Sequence, residues 1–119
     1  MNASKLIFQT LSPLVAGRVY PVIVPESQAK TIAGKSYIVY TLVSSNPENS
    51  NDGFEGHEYA LMQIDVYSPS YSDTDVLMLQ VINALNNIKA EIGSRQSLPD
   101  PNPKIFRQSL DVHVWGTTF

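Results

Sequence analysis

Residues 11–21 read Leu-Ser-Pro-Leu-Val-Ala-Gly-Arg-Val-Tyr-Pro, and this stretch decides where the first helix stops and the first strand begins. Pro13 disfavours helical geometry in the residue before it, and Gly17 supplies the positive φ that a tight reversal needs. The β-rich residues 18–24 follow, closed by Pro25. Because Pro21 has no N–H to donate, this strand belongs at a sheet edge or bulge. The stretch therefore predicts a short helix, a sharp turn and an edge strand, and it carries no catalytic chemistry.

The composition favours one domain, residues 1–119, with a single core. Charged residues make up only 16% of the chain, below the ~25% usual for globular domains, which suggests that partners cover part of the surface. The formal net charge is −3, and the eight Lys and Arg are scattered from Lys5 to Arg107. Without a basic stripe to neutralise phosphates, we expect no direct nucleic-acid recognition.

The chain has no cysteine, so neither disulfides nor thiolate metal ligands are available. The N-terminus lacks the apolar segment of a signal peptide, and the longest apolar runs are far shorter than the ~20 residues that span a bilayer. We therefore expect a soluble, non-exported protein without a membrane partner. Motifs of metalloproteases, dinucleotide-binding folds, P-loops and serine hydrolases are missing from the sequence, so we expect no enzyme and no cofactor.

Apolar spacing predicts the first half of the fold. Asn2 or Ser4 can cap a first helix that ends at Pro13. Residues 36–44, almost all β-branched or aromatic, predict a strand with both faces covered. Residues 46–56 are dense in Asn, Ser and Gly and predict a long loop, either a flexible linker or an arm that becomes ordered against a partner. Residues 57–68 alternate as a strand with one core face and one polar face.

The second half begins with a helix over residues 73–90, for which Ser72 and, three residues later, Asp75 have the spacing of a capping box. Its apolar stripe comprises Leu77, Met78, Val81, Ile82, Leu85 and Ile88. The proline-rich residues 93–103 predict an extended connector. The last strand points Leu110, Val112 and Val114 to one face, and Arg107, Ser109, Asp111, His113 and Trp115 to the other. These elements predict an α+β domain with a mainly antiparallel four-stranded sheet packed against one long and one short helix.

One group of residues could form a metal or hydrolytic site. His57 and His113 can be combined with Glu58, Asp65 and Asp111 on neighbouring strands. The alternative is that a half-solvated sheet face simply alternates polar residues, among them His and Asp. The alternative is favoured, because no catalytic motif surrounds these residues.

Six tyrosines and one tryptophan lie mostly on predicted strands. A stacking platform for single-stranded nucleic acid would need a basic groove, so packing in the core and at protein interfaces is the better interpretation. Trp115 is the first candidate for an interface anchor. The alternative is that it caps this chain's own core.

Four motifs, taken in order, resemble one known family. They are L-x-P-L-V-x-G-R-V-Y-P at residues 11–21, Tyr-Ile-Val-Tyr at 37–40, Gln-Ile-Asp-Val-Tyr-Ser-Pro at 63–69 before a capped helix, and Arg-Gln-Ser-Leu-Asp-Val-His-Val-Trp at 107–115. Together they resemble the tail-completion or tail-terminator proteins of long-tailed bacteriophages and prophages. The chain departs from that family in that the polar segment before Tyr37, residues 26–35, contains no proline.

The resemblance implies a structural virion protein without catalysis. Copies of the chain would form a ring, expected to be a hexamer, that caps the tail tube, ends its polymerisation and joins the tail to the head. Its partners would be other copies of itself, the tail tube protein and a head-completion or connector protein. The resemblance implies a place in the virion tail, after assembly in the host bacterial cytoplasm.

Ring contacts are heterologous, so each subunit needs two complementary faces. We expect one of them on the polar side of the strands, with loop residues added: Asp65, Tyr67, Arg107, Asp111, Trp115, Asn49 and Asp52. Two alternatives stay open. One is another head–tail connector or neck component, and the other is a small enzyme or ligand-binding domain that uses the face of His57 and His113.

Overall fold

A computed structural model describes the backbone of residues 2–50 and 53–117 and the side chains of residues 2–45 and 59–116. Short 3-10 turns occupy Ser12–Val15 and Glu26–Gln28. The helices are α1 (Ala3–Leu11), α2 (Ala29–Ile32) and α3 (Tyr71–Asn87). The strands are β1 (Val19–Pro21), β2 (Tyr37–Ser50), β3 (Gly53–Ser68), β4 (Glu91–Leu98) and β5 (Phe106–Thr117). Within the described residues, no helix combines the length and the apolarity needed to cross a membrane.

The strands form one mixed sheet in the order β1-β2-β3-β5-β4. β1 is parallel to β2, and the other neighbours are antiparallel. The α+β class is confirmed, but the expected four-stranded sheet is wrong because β4 occupies most of the predicted connector. β4 is an edge strand with mostly exposed residues and a bulge between Ile92 and Arg95. Its hydrogen bonds to β5, rather than apolar burial, place it in the sheet.

The hydrophobic core lies between one sheet face and helices α1 and α3. Strand pairing brings Ile38 opposite Val66, and Ile64 opposite Leu110, so the period of two sends all of these side chains to the same face. Most of the predicted apolar positions of both helices and of β3 and β5 are fully buried: Ile7, Leu11, Met62, Ile64, Val66, Met78, Val81, Leu85, Leu110 and Val112. In the predicted stripe of α3, Ile82 and Ile88 are only partly buried. Neither α1 nor α3 covers the opposite face.

The sequence predicted the N-terminal cap of α1 better than that of α3. The Asn2 side chain accepts a hydrogen bond from the Lys5 backbone N–H and caps α1. Of the two predicted caps, Asn2 and Ser4, the first is therefore confirmed. In α3 the cap is Ser70, which accepts from the Asp73 N–H, so the predicted Ser72 and Asp75 pair is wrong by two residues. Asp75 instead forms an ion pair with Arg95 on β4.

The turn in residues 11–21 forms as predicted at Gly17, which has a φ of 83° and donates its N–H to the Ser12 carbonyl. The strand after it is shorter than predicted. Val22 has a φ of 64°, and the Ile23 N–H bonds back to the Pro21 carbonyl, which makes a γ-turn of the strained kind. β1 therefore ends at Pro21, and the side chains of Val22 and Ile23 are exposed.

Much of the long loop predicted for residues 46–56 is strand. β2 continues to Ser50, and β3 begins at Gly53, opposite it. We call residues 46–50 and 53–58 the hairpin arm. The two strands of this arm pair despite its polar sequence, with a register shift between Pro47 and Asn49. Residues 51–52 lie outside the described residues.

The expectation that both faces of residues 36–44 are covered is wrong for residues 42–44, whose side chains are exposed. β1 pairs with β2 only from Ile38 to Tyr40. Beyond that point β2 is an edge strand, and a register shift between Leu42 and Ser44 interrupts its pairing with β3. The side chains of Leu42 and Val43 are exposed.

Candidate functional site

The sheet face opposite α1 and α3, here called the open face, carries the predicted interface residues. Pairing across β2, β3 and β5 arranges its side chains in rows. From one end of the sheet, the rows are Tyr37–Tyr67–Arg107, Val39–Asp65–Ser109, Thr41–Gln63–Asp111, Leu61–His113 and Tyr59–Trp115.

Asp65 is the most buried charged residue of the open face, with 4% of its surface exposed. Arg107 donates to Asp65 Oδ1 from Nη2 at 3.1 Å and from Nε at 3.3 Å. Gln63 Nε2 lies 3.1 Å from Oδ2 of the same carboxylate. A buried charge is stable only when it is paired and hydrogen-bonded, and these contacts supply both. Asp65 therefore acts within the chain by holding Arg107 in place.

Two tyrosine rings extend this cluster. Tyr37 and Tyr67 stack with ring centroids 4.7 Å apart and planes 6° from parallel. The Arg107 guanidinium carbon lies 5.7 Å from the centre of the Tyr67 ring, within the range of a cation–π contact. Burial raises the pKa of Tyr37 to about 12, and the nearby Tyr67 and Asp100 add to this effect. The cluster therefore favours neutral tyrosines.

This raised pKa predicts a loss of stability at alkaline pH. Between the ordinary tyrosine pKa of 10.0 and the raised value of about 12, the unfolded chain releases a proton that the folded chain retains. The contribution of neutral Tyr37 is thus fully present below pH 10 and falls as the pH rises through that window. We expect the urea midpoint of Tyr37→Phe to fall less steeply above pH 10 than that of the wild-type chain. Parallel slopes for the two proteins would contradict the assignment.

A shallow concavity of about 410 Å³ lies beside this cluster. Asp65, Tyr67 and Arg107 form part of its lining, and the exposed γ-turn residues Val22 and Ile23 form another part. The concavity thus combines a charged pair, phenol groups and an apolar rim. These are the groups that protein interfaces use.

A second aromatic cluster lies at the other end of the open face. The Tyr59 ring is packed between His113, at 4.8 Å, and Trp115, at 4.7 Å between ring centroids. The Tyr59 hydroxyl donates to the Glu91 carboxylate, and this hydrogen bond raises the pKa of Tyr59. Trp115 is 53% exposed and lies on the face away from the core. The alternative that Trp115 caps this chain's own core is therefore wrong.

The structure brings together only some of the predicted interface residues. Asp65, Tyr67 and Arg107 form one cluster, Trp115 belongs to the other, and Asp111 lies between them opposite Gln63. Asn49 lies in β2 opposite Phe54, and its side chain is outside the described ones, while Asp52 lies outside the described residues altogether. The role of this set in an interface stays a prediction.

The sequence did not predict that Tyr59 belongs to the second aromatic cluster, or that the exposed residues Val22 and Ile23 line the concavity. Tyr59 falls between His113 and Trp115 only through the register of β3 against β5, and no sequence signal gives that register. The signal for Val22 and Ile23 was Pro21, since proline in a run of strand residues marks an edge strand or a bulge.

A metal or hydrolytic site gains no support from the described side chains. Among them, no three His, Asp or Glu residues lie close enough to hold a metal ion. His113 is stacked on Tyr59, and Asp65 is paired with Arg107. The side chains of His57 and Glu58 lie outside the described ones.

The matches to known proteins cover almost the whole chain. A chain from the structure titled "Virion of native gene transfer agent (GTA) particle" is similar in fold, with a TM-score of 0.55 and 15% sequence identity. The alignment covers 98% of this chain and 95% of that chain. No curated protein sequence matches. The sequence model of the family described as "Tail completion protein gp17" matches residues 7–117. That match includes all four motifs noted in the sequence, and the chain therefore belongs to the tail completion protein gp17 family.

Proposed function

We propose that this chain caps the tail tube of a phage-like particle, ends tube polymerisation and forms the joint to the head. The observation that carries the proposal is the match of a tail completion family to residues 7–117. The fold shared with a chain of a gene transfer agent virion supports a structural role in a particle. The role needs binding surfaces and no catalytic step.

A protein that ends a tube can match the tube's symmetry by forming a ring, and we propose a hexamer. Ring contacts join two different faces of each subunit. The open face is a suitable candidate for one of these two faces, because it carries Trp115, a large exposed aromatic residue whose ring contacts that of Tyr59. The proposed partners are other copies of the chain, the tail tube protein and a head-completion or connector protein, with assembly in the host bacterial cytoplasm.

The proposal is tested by light scattering after size separation, on the purified chain alone and mixed with its tail tube protein. We expect a ring-sized species, either from the chain alone or once tube is present, and electron micrographs should show it at one end of the tube. If the chain does not bind the tail tube protein but binds portal-side proteins, the capping role is contradicted. The role of a connector or neck component would then take its place.

Replacing Trp115 by alanine should separate binding from folding. Because Trp115 is half exposed, its loss removes the contact with Tyr59 and should lower the free energy of unfolding by only about 1 kcal/mol. Truncation of an interface anchor costs about 2 kcal/mol or more, so self-association or tube binding should weaken at least about tenfold. Both are measured on the same preparation, by urea unfolding and by light scattering.

The matched control is Val76→Ala, which removes an exposed apolar side chain from α3, on the other side of the sheet. We expect this variant to assemble like the wild-type chain. Equal assembly of the Trp115 variant and the control would contradict the role of Trp115 as an interface anchor.

A further inference from the structure

The charges of this chain are separated along its length. Residues 36–88 contain no Lys or Arg. Three of the acidic residues in that range, Glu48, Glu55 and Glu58, fall in the hairpin arm. The sequence of the arm is therefore acidic, and the arm lies at one end of the β2–β3 pair.

An apolar cavity lies at the other end of β2. It has a volume of about 440 Å³ and is bounded by α2, by the start of β2 at Tyr37 and by the segment before β5. Ala29, Ile32 and Ala33 give it an apolar wall, and Lys35 and Lys104 contribute to its lining. None of the four residues of α2 is buried. An apolar cavity walled by an uncovered helical turn is typical of a surface that a partner completes.

The arm cannot reach the cavity of its own chain. Tyr37, at the cavity, and Ser50, next to the arm's turn, are the two ends of β2. Thirteen steps along a strand cover about 43 Å. A contact between arm and cavity must therefore join two copies of the chain.

We propose that the acidic hairpin arm of one copy docks into the lysine-lined cavity of the next copy. The charges are complementary, since the sequence of the arm carries Glu48, Glu55 and Glu58 while Lys35 and Lys104 line the cavity, and opposite charges steer and orient such contacts. Phe54 supplies, in the sequence of the arm, the apolar group that the cavity walls suit. The contact joins opposite ends of the subunit, so it is heterologous and can close into a ring. The inference deepens the proposed ring of the tail cap and rests on it.

Reciprocal charge reversal tests the contact. One variant carries Lys35→Glu and Lys104→Glu, and the other carries Glu48→Lys, Glu55→Lys and Glu58→Lys. Each variant alone sets like charges against each other and should self-associate at least about tenfold more weakly than the wild-type chain. An equimolar mixture restores opposite charges at every contact, so we expect wild-type association from alternating copies. The control, Lys5→Glu with Lys89→Glu, changes the charge equally away from the cavity and should associate normally.

Cysteine cross-linking keeps the proposal testable if the free chain is largely monomeric. The natural chain has no cysteine, so Ser50→Cys next to the arm's turn and Ala33→Cys at the cavity provide the only thiols of two separate variants. After mild oxidation of the mixture, we expect a disulfide-linked heterodimer of twice the 13.2 kDa chain mass. Ser50→Cys mixed with Gln80→Cys, on the exposed side of α3, is the control.

The outcomes separate the contact from the proposed function. If the mixture of reversed variants fails to recover association and the cross-link does not exceed the control, the contact is overturned, even where the wild-type chain caps tubes. If charge rescue and cross-linking succeed but no tube is capped, the contact stands and the capping role falls.

Discussion

Replacing Leu11 by alanine should lower the free energy of unfolding by about 3 kcal/mol, within the range of roughly 2–5 kcal/mol for fully buried leucines. Leu11 is the last residue of α1 and is 0% exposed. It belongs to the same core cluster as Val15, from the 3-10 turn, and Ile38, from β2. The truncation leaves a cavity where the helix, the turn and the sheet meet. Urea unfolding followed by far-UV circular dichroism measures the loss.

The matched control is Leu79→Ala on α3, where the leucine is 52% exposed. Alanine has at least the helix propensity of leucine, so the free energy of unfolding should change by no more than about 0.5 kcal/mol. Similar losses in the free energy of unfolding of the two variants would show that Leu11 does not anchor the core. The junction formed by residues 11–21 would then not decide how α1 packs on the sheet.

Periodicity made the core predictable. The period of two in β3 put Met62, Ile64 and Val66 on one face. The three-to-four spacing in α3 gave a stripe that is buried apart from the partly buried Ile82 and Ile88. These patterns are read within one element, so they need no knowledge of its neighbours. The cap of α3 shows the limit, because Ser70 and Ser72 each stand three residues before an aspartate. Only the backbone could decide between them.

Elements held by pairing rather than by burial were not predictable. β4 contains Gly93 and mostly polar residues, yet its ladder with β5 makes it a strand. The hairpin arm likewise follows from the pairing of Pro47 with Glu58 and of Asn49 with Phe54. Backbone hydrogen bonds leave no mark on side-chain periodicity, so both segments read as connectors in the sequence.

The sequence predicted which face of the sheet carries the candidate site residues, but not which of these residues contact one another. Alternation correctly put Asp65 and Arg107 on the polar side of their strands. The two residues are 42 positions apart, and only the register of β3 against β5 shows that they form an ion pair. The same register separates Trp115 from that pair and places it against Tyr59. A site assembled from three strands thus depends on information that no single strand contains.

Replacing Arg107 by alanine should lower the free energy of unfolding by about 3 kcal/mol, because it leaves the Asp65 carboxylate buried without its cation. The loss should lie at the low end of the range for buried pairs, since 25% of the Arg107 side chain is exposed and water can enter where it stood. Asp65→Asn should cost less, because it leaves a partly solvated arginine and a neutral amide beside Gln63. Urea unfolding of both variants gives the two values.

A double-mutant cycle measures the pair itself. In the background of Asp65→Asn, removing Arg107 leaves no buried charge, so its cost should fall by at least about 1 kcal/mol compared with the wild-type background. Additive losses would contradict the ion pair as the source of the effect. Because Arg107 variants lose stability, weaker assembly in them cannot by itself assign Arg107 to an interface.

Asp111→Lys tests the predicted interface without removing either member of that pair. Asp111 lies on the open face in the next row but one from Arg107, opposite Gln63, and is half-buried. Reversing its charge should weaken ring formation at least about tenfold if this face meets another subunit, since like charges across an interface are unfavourable. Normal rings from a stably folded Asp111→Lys chain would contradict the interface prediction for this row. In that case the contacts of the ring would have to be sought at Trp115 and at the hairpin arm.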